Sequence, residues 1–513
     1  MEEEEIKLLK ELAPKDKKKW VGRYEELILN KEKENEKIEE NKELEEIRVR
    51  IYEILANPKE TIAKKKVKAS EILVEYILEH NHIYTIRESR NNDKEIWIYH
   101  NGIYIPNGDT YINEICRKIL RNAYSISLMN LVLAKIEVDT YVSIEDFFKE
   151  EDPYILPVAN GLLNLKTKEL EEFDPNKKFF NKLNIRYNPI ADCPKIKKFI
   201  SEIVREQDVP LIQEMFGFSL VRSYFLKKAY MLLGRTDAGK TKLLLLLHHF
   251  LGYKNCSSVP LHKLMEDNFL LWKLHGKLAN ISGDSSSKSI LNDDLFKRLV
   301  GEDPITADRK FKEAIEFMNY AKIINACNDL PKTYTYDNAF FNRWILIKFP
   351  NQFIVKKHFD KIPEEERKKN NIFLADENIL DKIIDPLELE GLLNWALEGL
   401  DRLFKKGFSY NKTADEIKLQ WLRESNSFEA FFMDELEETK TYDFFVTKEE
   451  LKNSYKNYCK KHKLKIESDK IIKNSLEKDH GAYEKRITAR GEEDEGANRI
   501  RVWKGVRFKE NED

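Results

Sequence analysis

Apolar positions change rhythm several times along the chain. Over residues 1–67 they are sparse among Glu and Lys. Leu27, Leu44, Ile47, Ile51 and Leu55 give an intermittent helical stripe, read as a charged helical arm, solvated or partly disordered rather than a coiled coil. From 68 to 195 the pattern is that of a mixed α+β domain. A helix is predicted over Ala69–His80, and the strands EIWIYH and GIYIP meet at an Asn101-Gly102 hairpin turn. A helix follows near Thr110–Asn122. In LPVANGLLNLKTKELEEF the pairs Asn160-Gly161 and Lys166-Thr167 read as turns between short strands. Residues 196–350 open with helix and then alternate helices with the apolar runs AYMLL (229–233), KLANI (277–281), AKIINA (321–326) and RWILIKF (343–349). Such runs suit strands buried on both faces of a parallel sheet. Residues 351–427 read as a helical lid or linker, with 376–407 apolar at helical spacing. In 428–513, helices at Ser427–Leu436, Lys448–His462 and Asp469–Leu476 precede two strands around a Gly- and Glu-rich tip. That succession predicts a winged helix.

Composition narrows the function classes. Hydrophobic residues make up 42% and charged residues 35%, a globular balance with a highly charged surface. No stretch approaches the roughly 20 apolar residues of a membrane span. The start, MEEEEIKLLKEL, reads as neither a signal nor a transit peptide. Cys116, Cys193, Cys256, Cys327 and Cys459 lie far apart, which argues against a zinc or disulfide framework and for a reducing cytoplasm. The net charge of −2 neither supports nor excludes nucleic-acid binding, because local basic stripes decide that. The segment VDT (138–140) has one carboxylate of a metal-binding pair and lacks the second, so it reads as strand and loop.

The strongest chemical signal is Gly234-Arg235-Thr236-Asp237-Ala238-Gly239-Lys240-Thr241, which fits G-x-x-x-x-G-K-[ST]. Phosphate binding needs backbone N–H groups turned inward, a helix N-terminus behind the anion, a Lys for the β/γ-phosphates and a hydroxyl for Mg²⁺. An apolar strand enters this loop and the apolar helix KLLLLLHHFL leaves it, the context a P-loop requires. Hydrolysis also needs a carboxylate at a neighbouring strand's end. Asp284, after KLANISG, is the candidate for that role, the alternative being an Asp that caps the next helix. Asn328, after AKIINA, can sense a γ-phosphate, or it can simply open the turn before Leu330-Pro331. Arg343 opens another apolar strand.

Together these spacings bring a resemblance to the superfamily 3 helicases, specifically the phage, plasmid and poxvirus primase-helicase family, over about residues 68–510. LPVANGLLNLKTKEL and NIRYNPIADCPKIKKFI resemble its N-terminal signature, and FKRLVGEDPITADRKFKEAIEF the segment between its second and third ATPase motifs. CNDLP resembles the third motif, FFNRWILIKF the Arg-containing strand, and NSYKNYCKKHKL with IRVWKGVRF the winged-helix tail. The resemblance implies a multidomain α/β protein with an AAA+ P-loop core, a mixed α+β N-terminal domain and a C-terminal winged helix. It implies ATP and Mg²⁺ as cofactors, held by Lys240, Thr241 and Asp284, with Asn328 as sensor 1 and Arg343 as an arginine finger supplied in trans. Lys310, Phe311 and Lys312 would grip single-stranded DNA at a hairpin tip. The implied partners are single-stranded and forked DNA, further copies of the chain in a hexameric ring, and a separately encoded primase. Gly283 stands where relatives carry a second acid, so Asp284 is left open as metal ligand or water-positioning base. An ATP-switched initiator or loader without processive unwinding, and a small-molecule phosphotransferase, are the rival readings.

Overall fold

The computed structural model describes residues 42–87, 94–149, 151–283, 293–310, 312–331, 337–439, 444–462, 464, 466–488 and 499–509. The chain divides into two compact units, Met1–Lys149 and Glu150–Asp513. Among the described residues no helix is long and apolar enough to cross a membrane.

In the first unit, helices α1 (residues 42–56) and α2 (Ile62–His80) precede an antiparallel sheet of β1 (Ile83–Arg87), β2 (Lys94–His100) and β3 (Ile103–Ile105). Helices α3 (Gly108–Leu120) and α4 (Ile126–Asp139) complete it. Asn101 and Gly102 have φ of 48° and 92°, the left-handed pair that a tight hairpin needs. Two readings change here. Ile47 and Ile51 of α1 are buried in the core with Leu73, Ile77 and Val132, and Leu44 and Leu55 pack against it. That stripe is a packed face rather than a solvated one. Val138 and Asp139 close α4 instead of forming strand and loop, because the apolar run before them continues at helical spacing. Leu27 lies outside the described residues.

The second unit begins with the short antiparallel strands β4 (Ile155–Val158), β5 (Gly161–Asn164) and β6 (Leu170–Glu171). Helices α5 (Pro194–Ile203) and α6 (Val209–Phe218) follow. Its centre is a five-stranded parallel sheet. In chain order the strands are β7 (Ala229–Gly234), β8 (Cys256–Ser257), β9 (Ala279–Ser282), β12 (Lys322–Cys327) and β13 (Trp344–Phe349). In space the order is β13-β7-β12-β9-β8, so β7 lies between two strands that follow it much later. Every residue of β12 is buried, as parallel strands covered on both faces require. Helix α7 (Lys240–Leu251) leaves β7, and α8 (Asp293–Leu299) precedes an antiparallel hairpin of β10 (Pro304–Arg309) and β11 (Lys312–Met318). The short α9 (Asn338–Asn342) leads into β13.

Within the stretch read as a helical lid, β14 (Gln352–Ile354) and β15 (Ile372–Leu374) pair in parallel. Helices α10 (Pro386–Lys406) and α11 (Ala414–Ser425) follow. Pro386 sits in the first turn of α10 and the Asp385 carboxylate accepts the Leu387 N–H, so the helical run breaks and restarts there. A separate hydrophobic core joins α12 (Ser427–Glu435), α13 (Lys448–His462) and strands further along, with Phe428, Phe431, Tyr455, Leu476 and Trp503 at its centre. Strands β16 (Leu436–Glu438) and β17 (Phe445–Thr447) flank α12 and α13. The helix α14 (Asp469–Asn474), the strands β18 (Tyr483–Thr488) and β19 (Arg499–Lys504), and a last strand, β20 (Val506–Phe508), complete the module. Strand β19 pairs antiparallel with β17 and β18, and β16 with β20.

Lys322, the first residue of β12, is fully buried. Its ammonium donates to the carbonyls of Val221 and Tyr320, both at 2.7 Å, and lies 4.7 Å from the Phe218 ring centroid. Burial pushes its pKa down to about 7, against the weaker upward pull of Glu302. An unfolded lysine keeps its proton up to about pH 10.4, so between these values the unfolded chain binds more protons and stability rises with pH. Lys322→Met should therefore flatten the rise in urea-unfolding stability between pH 7 and pH 10. Identical pH slopes in the two proteins would show that Lys322 stays charged in the fold.

Candidate nucleotide site

The site is built at the C-terminal edge of the parallel sheet, where β7 hands over to α7. Gly234 ends the strand with its Cα against β13: a Cβ there would lie 2.8 Å from Phe349 Cβ and 2.9 Å from the Phe349 carbonyl oxygen. Asp237 and Gly239 have φ of 61° and 90°. These left-handed turns let successive backbone N–H groups point to one side, the geometry of an anion cradle. A Cβ on Gly239 would come within 2.7 Å of Ile203 Cγ2 on α5. At its apex the loop is tied to β14, where the Phe353 N–H donates to the Asp237 carbonyl at 2.8 Å. Arg235, Thr236 and Asp237 are exposed, Ala238 is buried, and Thr241 is exposed in the first turn of α7.

Lys240 is nearly buried, and its ammonium donates to the carbonyls of Gly234 (2.6 Å) and Arg235 (2.7 Å) and to Asn328 Oδ1 (3.0 Å). Asn328 reaches it because β12 pairs in parallel with β7, with Cys327 opposite Leu233. The turn after Asn328 is held from behind by Trp421 of α11, whose indole N–H donates to the Pro331 carbonyl at 2.8 Å. Burial pushes the neighbouring Cys327 thiol up to about 12, so it is a neutral thiol and no nucleophile. On the other side of β12, β9 pairs with Asn325 opposite Ser282, its last residue. Asp284 lies outside the described residues.

The remaining predicted residues lie elsewhere. Arg343 sits at the opposite end of the sheet: its carbonyl accepts the Ala229 N–H at 2.7 Å, at the start of β7. Five residue steps along β7 take the chain from Ala229 to Gly234, roughly 17 Å. Its guanidinium donates to the Ala339 carbonyl at 2.8 Å, while its Nε is buried without a hydrogen-bond partner. Burial and the Arg343 charge lower the pKa of nearby Lys228. Lys310 is exposed at the turn of the β10–β11 hairpin; Phe311 and the Lys312 side chain lie outside the described residues. Next to the hairpin's turn, the Arg309 guanidinium lies 5.0 Å from the Trp272 ring, which stacks on His275.

Two supports of the loop had no signal in the sequence. The Glu388 carboxylate on α10 accepts the N–H groups of Lys195 and Ile196, capping the N-terminus of α5, the helix that carries Ile203. Lys348 of β13 forms an ion pair with Glu424 of α11. Each pairing joins residues too far apart in the chain for any local pattern to connect them.

Residues 10–205 match the family described as D5 N terminal like, and residues 232–343 match a family of unknown function (DUF5906). A helicase-named protein of Acanthamoeba polyphaga mimivirus, L207/L206, is 24% identical over 305 residues, 56% of this chain and 31% of that protein. A helicase-named protein of Sputnik virophage, V13, is 23% identical over 276 residues, 51% of this chain and 34% of its own. The chain thus spans about a third of the length of these curated relatives. The solved apo structure of the NrS-1 C-terminal region aligns with 84% of this chain and 97% of its own, at 12% identity and a TM-score of 0.41. The D5 N-terminal match and the helicase-named viral relatives together support a likeness to the D5-like primase-helicase family.

Proposed function

We propose that the chain is the ATPase motor of a DNA helicase of the superfamily 3, AAA+ type. It would move on single-stranded DNA and open forked duplex during replication of a virus, plasmid or integrated element. The observation that carries this reading is the Lys240 ammonium resting on Gly234 O, Arg235 O and Asn328 Oδ1. It combines a strand-loop-helix anion cradle with a polar amide from the adjacent strand. The cradle fits a nucleotide triphosphate: its glycines leave no room for side chains, and its position at the carboxyl end of β7 is where the strand order reverses. ATP with Mg²⁺ would supply the phosphoryl chemistry. Lys240 and the loop amides hold the phosphates, the Thr241 hydroxyl and Asp284 hold the metal, and Asn328 orients the terminal phosphate.

The distance of Arg343 from its own P-loop supports an arginine supplied to a neighbour's site, and hence a ring of copies. The C-terminal module supports the winged-helix reading, with three helices and a hairpin in which Arg486 lies directly opposite Arg501. Like charges so placed cost stability unless something neutralises them, and DNA phosphates do so. The helicase names of the viral relatives agree with this reading.

ATP turnover should be stimulated by single-stranded DNA and should drive strand displacement. Lys240→Ala should lower turnover by about 10²-fold or more while the chain stays folded by circular dichroism, since a phosphate-stabilising charge is lost. Near-parental turnover by the folded variant would remove the P-loop assignment.

Arg343→Ala alone should hydrolyse poorly, because trans-acting arginines contribute on the order of 10³–10⁵ in rate. Mixed with Lys240→Ala under subunit exchange, it should regain activity that depends on protein concentration. Two co-assembling variants that fail to complement would place Arg343 in a cis or structural role.

A further inference from the structure

The first unit carries a cationic concavity that the motor reading does not use. A cavity of about 630 Å³ is lined by Leu44, Glu45, Arg48, Arg117, Lys118 and Arg121. A second, of about 510 Å³, shares Arg117 and Lys118 and is completed by Thr110, Asn113, Glu114 and Tyr124. Both follow one face of α3 and the turn beyond it.

Two of the four cations also hold the end of α3: Arg117 donates to the Arg121 carbonyl, and Arg48 ties down the last turn. Arg48 donates from Nε to the Ile119 carbonyl (2.8 Å) and from Nη2 to the Lys118 carbonyl (3.0 Å), and the Tyr52 hydroxyl donates to the Leu120 carbonyl (2.8 Å). Together they satisfy carbonyls that the end of α3 leaves open. Arg117, Lys118 and Arg121 are exposed. Glu45 is shared between two arginines: it pairs with Arg48, and Arg121 Nη2 lies 3.1 Å from Glu45 Oε1. The hydrogen bond from Arg48 and the charge of Arg121 hold this carboxyl below its usual range, so it stays ionised and spent on them. Arg121 itself has a left-handed φ of 45°, a sparsely populated backbone for an arginine.

The aromatic component is fixed in place. The Tyr124 hydroxyl donates to Asn113 Oδ1 at 3.3 Å, and the Arg117 guanidinium lies 5.7 Å from the Tyr124 ring centroid. Exposed cations in a row beside a pinned ring suit a ligand with regularly spaced phosphates and flat bases. A lone small anion would use neither the second cavity nor the ring. We propose that this face of the first unit binds single-stranded nucleic acid, with Arg117, Lys118 and Arg121 on the backbone phosphates and Tyr124 against a base. The site is independent of ATP turnover and of the hairpin and C-terminal module.

Two measurements on the full chain test it. The first is binding of a fluorescent oligodeoxythymidylate to the parent and to Arg117→Gln/Lys118→Gln across a salt series. Each phosphate contact on a single strand contributes about 0.7 to the slope of log affinity against log salt, so the double variant should be shallower by about 1.4. Its affinity at physiological salt should fall on the order of ten-fold, with the fold retained because Arg48 and Tyr52 still satisfy the carbonyls of the last turn of α3. The second is photocrosslinking of an iododeoxyuridine-containing strand, which should mark the peptide that carries Tyr124. An unchanged affinity and salt slope, or crosslinks confined to residues beyond 150, would overturn the proposal and leave these cations as helix-terminal charges. A chain that does not hydrolyse ATP yet crosslinks at Tyr124 would sink the motor reading and keep this one.

Discussion

The Lys240 ammonium depends on where two strands end. Its oxygens come from the tip of β7 (Gly234 and Arg235) and from the residue after β12 (Asn328), and these meet because β12 was inserted beside β7 in parallel register. A one-residue slip between the strands would turn Asn328 away and send every side chain of β12 to the other face. Much of the surrounding packing fixes that register. The aromatic layer of Phe296, Phe340, Trp344 and Trp421 packs beside β13, with the Phe296 and Trp344 rings stacked 4.5 Å apart and nearly parallel. Trp421 then reaches the Pro331 carbonyl and holds the Asn328 turn.

The same contacts connect the site to the C-terminal module. Helix α11 carries Trp421 on the Asn328 turn and Glu424 in an ion pair with Lys348 of β13, and it runs directly into α12. Arg423 of α11 donates to Asp434 of α12 at 2.7 Å, and the Tyr458 hydroxyl of α13 donates to the same carboxylate at 2.6 Å. A displacement of the Asn328 turn therefore acts on a helix packed into the module's core. Through this chain of contacts α11 links the turn that carries Asn328 to the core of the C-terminal module.

The loop was legible in the sequence because its determinants are consecutive: an apolar strand, eight loop residues and an apolar helix. Asn328 drew notice for a related reason, as a polar residue just after the strand-like run AKIINAC. Long-range supports were not. The Glu388 cap on α5, the approach of Ile203 to Gly239 and the Phe353 bond to Asp237 join segments with no shared periodicity. Residues 42–56 misled because a helix that buries Ile47, Arg48 and Ile51 still shows charge on most of its surface. The short parallel pair β14–β15 escaped because three-residue strands leave no readable alternation. For Asp284 and Phe311, which lie outside the described residues, the sequence reading stands by itself.

The central claim is that Lys240 rests on neutral oxygens that a triphosphate would replace. A structure of the chain crystallised with a non-hydrolysable ATP analogue and Mg²⁺ tests this most directly. The account predicts that Lys240 Nζ leaves the Gly234 and Arg235 carbonyls for the terminal phosphates, that the loop amides face the β-phosphate, and that the Asn328 amide turns to the same terminal group. An analogue bound elsewhere, or one bound here with the Lys240 contacts unchanged, would contradict it.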